Sequence, residues 1–317
     1  NGNANITLNE CIIKDNITNS AGGGVFASAA TTAISEKAII QNNGCNVNLS
    51  DSCNFYGKWN DSGSTTNYNI VNGQETETLS YLYNAICINI GTLGYDKTAL
   101  IPVINNEYTI NGTDSTGVFK SGRNVTLSPY LIGQYEVTQE LYNSVMSNNP
   151  SSFTESAATG ETQNLRPVET VSWYQAIVFC NALTKQVLGE NNCVYYSDAE
   201  FTKVYNEINA ETSSTVYFNI AKSGYRLPTV AEWTFAAKGG DPNVSDWNYI
   251  YSGSDTIDEV AWCATNAETK THEVGLKTSN KINIYDMTGN VSEWCWDLYR
   301  SDDEIPADTI TNPTGPE

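Results

Sequence analysis

Apolar and polar residues alternate in short bursts along this chain, and most bursts end in corners rich in Asn, Gly or Ser. Val125-Thr126-Leu127-Ser128-Pro129-Tyr130-Leu131-Ile132 has the period of two expected of a half-buried strand. Ile101-Pro102-Val103 and Tyr108-Thr109-Ile110-Asn111-Gly112 predict two more strands, and Ile88 to Gly94 another. Helical spacing is rarer and better punctuated. Thr138 precedes Leu141, Tyr142 and Val145, predicting a capped helix that stops near Asn148-Asn149-Pro150. Ser172 and Gln175 form a capping box, opening a helix whose Trp173, Ala176, Ile177, Cys180 and Leu183 share one face. Thr229 and Glu232 repeat the box and predict a helix from Val230 to Lys238, stopped by Gly239-Gly240. Glu232 therefore reads as a cap rather than a general base. Arg226 has no local explanation, so it either pairs with an acidic residue in the core or faces a ligand.

The first segment has another texture. Asn5 to Asn16 and Ile34 to Asn43 are two similar alternating runs ending in Asn-rich turns, separated by Gly22-Gly23-Gly24-Val25-Phe26. They resemble the last coils of a right-handed parallel β-helix, as found in surface-exposed bacterial repeat proteins; a disordered Ser/Thr/Asn-rich arm is the other reading. Such coils need about three neighbours for stability, so the expectation is the tail of a longer array. Gly22 to Gly24 lack the Gly-Lys-Ser/Thr of a phosphate loop. Cys45 to Asn72 reads as a loop or a cap. The expected organisation is a β-rich leader over 1–72, a linker over 73–99 and an α+β module over 100–317.

Composition narrows the function. A net charge of −20 argues against phosphate-backbone binding, which needs clustered Lys and Arg, and no run approaches the ~18 apolar residues of a membrane span. The chain has no starting Met or signal sequence, which predicts a mature form or a fragment. Its 8 cysteines include no C-x-x-C pair. His272 is the only histidine, which removes His-rich metal sites and disfavours a Ser-His-Asp hydrolase.

One late stretch concentrates candidate chemistry: Ile284-Tyr285-Asp286-Met287-Thr288-Gly289-Asn290-Val291-Ser292-Glu293-Trp294-Cys295-Trp296-Asp297. Asp286 and Glu293 are hard oxygen donors on either side of a Gly-Asn corner, and such a turn can gather carboxylates and backbone carbonyls around Ca²⁺. The plainer reading is a hairpin turn with Trp294 and Trp296 alternating into a core.

This run resembles the "YDM-GNVWEW" signature of the formylglycine-generating-enzyme (sulfatase-modifying factor) family. Gly224 to Trp233 is similar to that family's "YRLPTEAEWE" block. Ile132 to Thr138, Asn149-Pro150-Ser151 and Arg166 to Trp173 follow the family's order. The resemblance implies a variant of the C-type lectin fold. It implies that Asp286 and Glu293, with the backbone carbonyls of Gly289 and Val291, bind a structural Ca²⁺; Ser292 stands where the family has a tryptophan. Asn266 matches an Asn ligand of a second Ca²⁺ site whose Asp partner is not recognisable, and Glu273 to Lys277 matches a family strand.

The family's reactive cysteine pair follows an "RGGSW" block that this chain lacks; it stops where that block is expected, which predicts truncation, and no catalytic residue is assigned. Three functions follow from the resemblance: a non-catalytic binding module, secreted or at the cell surface, for a protein or other extracellular ligand; a formylglycine-generating oxidase with its catalytic cysteines beyond residue 317; or a non-haem iron sulfoxide synthase. The last needs several histidines and is disfavoured.

Overall fold

The computed structural model describes residues 97–104, 106–299, 301 and 304–315, together with the backbone of nine short strands between residues 5 and 75. The strand expected at 88–94 lies outside the described residues. Two compact units are present, Asn1–Leu100 and Ile101–Glu317.

In the first unit, β1 (Asn5–Leu8), β2 (Ile12–Lys14) and β3 (Ile17–Thr18) pair in parallel with β4 (Val25–Ile34), β5 (Ile39–Gln41) and β6 (Gly44–Cys45). The offset is nearly constant: Asn5 faces Thr31, Ile12 faces Ile39 and Ile17 faces Gly44. β4 also pairs in parallel with β7 (Phe55–Asp61). Two antiparallel strands, β8 (Asn67–Val71) and β9 (Gln74–Glu75), complete that sheet.

The second unit mixes small sheets with few helices. β10 (Leu100–Ile104) pairs with β13 (Tyr130–Gly133); β11 (Tyr108–Asn111), β12 (Asn124–Leu127) and β16 (Thr309–Thr311) form a three-stranded sheet. The expected single strand over 125–132 is thus two strands in different sheets. Pro129 lacks an N–H for a ladder, and the Ser128 N–H is taken by the Asn312 side chain at 2.8 Å. Val125, Thr126 and Leu127 are all buried, so alternation there did not mark a solvent face. A two-stranded ribbon joins β14 (Tyr195–Tyr196) to β15 (Tyr217–Phe218).

All three predicted helices form behind their predicted caps: α1 (Gln139–Met146), α2 (Trp173–Leu188) and α4 (Val230–Ala237), with short α3 (Glu207–Glu211) and α5 (Ile257–Val260). Thr138 accepts from the Leu141 N–H, and both expected capping boxes are complete. α1 stops at Ser147 in the left-handed region, φ 58°. α2 buries Ile177, Cys180 and Leu183 as its spacing requires. It also buries Asn181, whose amide holds the β14 backbone through Tyr195 N–H and C=O. The core between the sheets and α4 is aromatic at its centre: Phe119, Phe235 and Trp247 meet with ring centroids 5.5 to 6.2 Å apart.

Candidate functional site

The Ile284 to Asp297 stretch is an irregular turn, and three left-handed residues shape it: Asp286 at φ 58°, Gly289 at 89° and Asn290 at 53°. Gly289 is obligatory. A Cβ there would lie 2.3 Å from the Trp262 carbonyl oxygen. The Asn290 N–H donates to that same oxygen at 2.8 Å. In a trans peptide the carbonyl opposes its N–H, so the Gly289 carbonyl points away from Trp262. Among the described residues no hydrogen bond ends on the carbonyl of Gly289 or of Val291.

The turn is pinned from several sides. Asp286 is buried and one carboxylate oxygen accepts from the Gly275 N–H at 2.7 Å. Glu293 accepts from the Trp233 indole N–H. Asn290 takes the His272 N–H at 2.9 Å and returns a bond to the His272 carbonyl at 3.1 Å. Gly275, at φ 75°, and Val274, whose N–H goes to Leu165 O, spend their backbone donors on these ties. That is why Glu273 to Lys277 is a turn and not the expected strand.

Sequence reasoning passed over Glu136. It follows β13, is 5% exposed, and grips two consecutive residues of the turn: Asn290 Nδ2 donates to it at 2.8 Å and the Val291 N–H at 3.1 Å. The approach is fixed by Tyr285 N–H to Gln134 O at 3.0 Å and by stacking of Tyr135 on Tyr285. A lone acidic residue between a strand's end and the Thr138 cap was the available signal.

Electrostatics in this corner run against ionised carboxylates. Burial, then the nearby Glu293 and Asp286, push the Glu136 carboxyl well above its ordinary range, against the pull of the two N–H donors. Part of Glu293 touches solvent, yet packing around its carboxyl pushes it up to about 7, with Asp286 adding to the rise and Trp233 opposing it. Neither Glu136 nor Glu293 forms an ion pair with Lys, Arg or His among the described residues. Those residues also contain no group of three or more His, Cys, Asp or Glu side chains placed to hold a metal, so any cation here leans on backbone carbonyls.

His272 is committed elsewhere. Its ring stacks on Trp262 at 3.9 Å, Nδ1 meets Glu161 at 2.7 Å and Nε2 meets the Ala267 carbonyl at 3.0 Å. Asn266 caps its own loop, accepting from Cys263 N–H and donating to Asp258 and Ala261. Arg226 forms a two-pronged ion pair with Glu232, both contacts at 2.6 Å, so the core explanation is the one realised.

Beyond the turn the chain is anchored but displays apolar surface. The Trp294 indole N–H donates to Val171 O, the Trp296 backbone N–H to Pro228 O, and the Asp297 carboxylate accepts from the Val230 N–H. Trp296 sits among Trp173, Tyr195 and Phe218. Trp294, Leu298 and Tyr299 are 51%, 69% and 95% exposed, so Trp294 and Trp296 do not both enter a core.

Several known proteins are similar to this chain. A chaperone protein LppX from Paenibacillus barcinonensis is 43% identical over 208 residues, 60% of this chain and 69% of that protein. The formylglycine-generating enzyme of Thermomonospora curvata is 34% identical over 110 residues, covering 30% of this chain and 35% of the enzyme. Among solved structures, Treponema denticola variable protein 1 superposes with a TM-score of 0.56 at 35% identity, over 70% of this chain and 82% of that one. The sulfatase-modifying factor enzyme 1-like domain matches residues 75–314, and the chain belongs to that family.

Proposed function

We propose that this chain is a non-catalytic binding module, secreted or at the cell surface, built on a C-type-lectin-like form of the family fold and stabilised by Ca²⁺. The observation that carries the binding reading is the run from Glu293 to Tyr299. It is tied down through the Cys295 carbonyl, the Trp296 N–H, the Trp294 indole and the Asp297 carboxylate, while Trp294, Leu298 and Tyr299 are exposed to solvent. Anchored, exposed aromatic groups are the material of binding hot spots. The ligand is a protein or another extracellular molecule, not a nucleic acid. The parallel pairing and steady offset in the first unit favour a leader of β-helix type.

The Ca²⁺ reading rests on donor chemistry. Asp286 and Glu293 side chains, with the carbonyls of Gly289 and Val291, would hold the ion. It would face Glu136 and Glu293, which form no ion pair with Lys, Arg or His among the described residues, and fasten loops that have no ladder of their own.

A formylglycine-generating oxidase is the alternative, and it needs a reactive thiol pair. Burial pushes Cys180 and Cys295 up to about 12 and Cys193 up to about 11, which suppresses the thiolate. Cys263 is more accessible and its thiol is lowered by Thr265, but all four thiols in the described residues are free.

Two measurements test the reading. Thermal unfolding in Ca²⁺ and then EDTA is expected to show a clear fall in midpoint that Glu293→Ala abolishes; no fall removes the ion. Incubation with copper, oxygen and a sulfatase-derived cysteine peptide is expected to leave the peptide unchanged by mass spectrometry. Conversion of its cysteine to formylglycine overturns the non-catalytic reading.

A further inference from the structure

We propose that Glu136 is a positioning residue for the cation at the 286–293 turn, supplying a buried negative charge behind the ligand carbonyls; this rests on the Ca²⁺ reading above. Glu136 lies 154 residues from Asn290 in sequence, yet both its oxygens are spent on adjacent residues of the turn. Holding the Val291 N–H fixes the 290–291 peptide plane between the two carbonyl-bearing residues Gly289 and Val291. Holding Asn290 Nδ2 completes an amide whose other bonds go to the His272 backbone. Asn290 thereby links the strand end, the 271–275 loop and the turn.

A neutral side chain could make one of these bonds equally well. Glutamine has a single acceptor oxygen and turns an NH₂ group toward its second donor, so the two N–H donors select a carboxylate. Nothing cationic among the described residues pairs with Glu136. A full negative charge buried at 5% exposure beside Asp286 and Glu293 is a liability for the empty fold and an asset once a cation sits in front of it. Glu136 meets the turn through the Asn290 side chain and the Val291 N–H, and the described residues contain no group of three carboxylates placed to hold a metal. Its effect therefore passes through the turn and through the field it exerts, not through direct ligation.

The test reads affinity for two ions of different charge. Tb³⁺ luminescence, sensitised by the neighbouring Trp233 and Trp294, reports Tb³⁺ binding to the full chain, and competition gives Ca²⁺ affinity. Glu136→Gln is expected to weaken Ca²⁺ by roughly tenfold, within the usual range for groups behind a metal's ligands. Because a field acts in proportion to charge, Tb³⁺ should weaken more than Ca²⁺. Glu136→Asp keeps the charge and is expected to preserve the Tb³⁺ to Ca²⁺ affinity ratio even if both affinities shift; it serves if E136Q does not fold.

Equal weakening of both ions makes Glu136 a purely structural clamp and overturns the proposal. Unchanged affinities in E136Q overturn it too. If the folded wild-type chain binds neither ion, the cation reading itself falls, an outcome distinct from a failure of Glu136 alone.

Discussion

Glu232 and Trp233 are neighbours on α4, and they look onto two acidic sites with opposite solutions. Glu232 is buried against Arg226, caps its own helix and has its charge balanced within the chain. Trp233 reaches Glu293, beside Asp286 and Glu136, where Glu136 and Glu293 have no cationic side chain to pair with among the described residues. The first arrangement is complete as translated. The second leaves Glu136 and Glu293 without such a partner among the described residues, and the Ca²⁺ proposal rests on that difference. Buried carboxylates are therefore not one category; what faces them decides whether they stabilise a fold or wait for an ion.

The comparison is most sharply broken at Arg226. Arg226→Met strands Glu232 in the core and is expected to cost about 3–5 kcal/mol in urea unfolding, with the cost largely recovered in the double variant Arg226→Met, Glu232→Gln. Chelation acts on the other site. At a free Ca²⁺ about 100 times its dissociation constant, EDTA should remove roughly 2.7 kcal/mol and lower the midpoint by about 5–11 °C, while the Arg226–Glu232 site is indifferent to chelator.

Gly289→Ala should cost about 1–3 kcal/mol from its left-handed backbone, and its clash with the Trp262 carbonyl should also erase the Ca²⁺ response in a calorimetric scan. Thr229→Ala is the mildest change. It removes one cap, should cost about 1 kcal/mol, and should leave the Ca²⁺-dependent shift at its wild-type size.

The two sites also differ in how far the sequence announces them. The Thr229 and Ser172 boxes are local chemistry: donor and acceptor lie three residues apart, so a reader of the chain can pair them without knowing the fold. Asp286, Gly289, Val291 and Glu293 are proposed as a set only through resemblance to a family signature. Spacing alone left a plain Gly-Asn turn as the stronger alternative. Glu136 was illegible, because its partners lie 154 and 155 residues away and nothing in Tyr135-Glu136-Val137 states which loop will close over it. The strand misread at Glu273 to Lys277 has the same cause. Its backbone donors are claimed by Leu165 and Asp286, contacts that no local pattern encodes.

The parallel pairing of β12 with β16 also has a consequence during synthesis. Asn124 and Thr309 are 185 residues apart, so at roughly 5–20 residues per second about 10–40 s separate their emergence from a ribosome. Through that interval one edge of β12 has no strand to pair with, a row of open N–H and C=O groups able to recruit a neighbouring chain. Factors that shelter nascent segments would matter most for this protein in that window, well before its finished stability has any bearing.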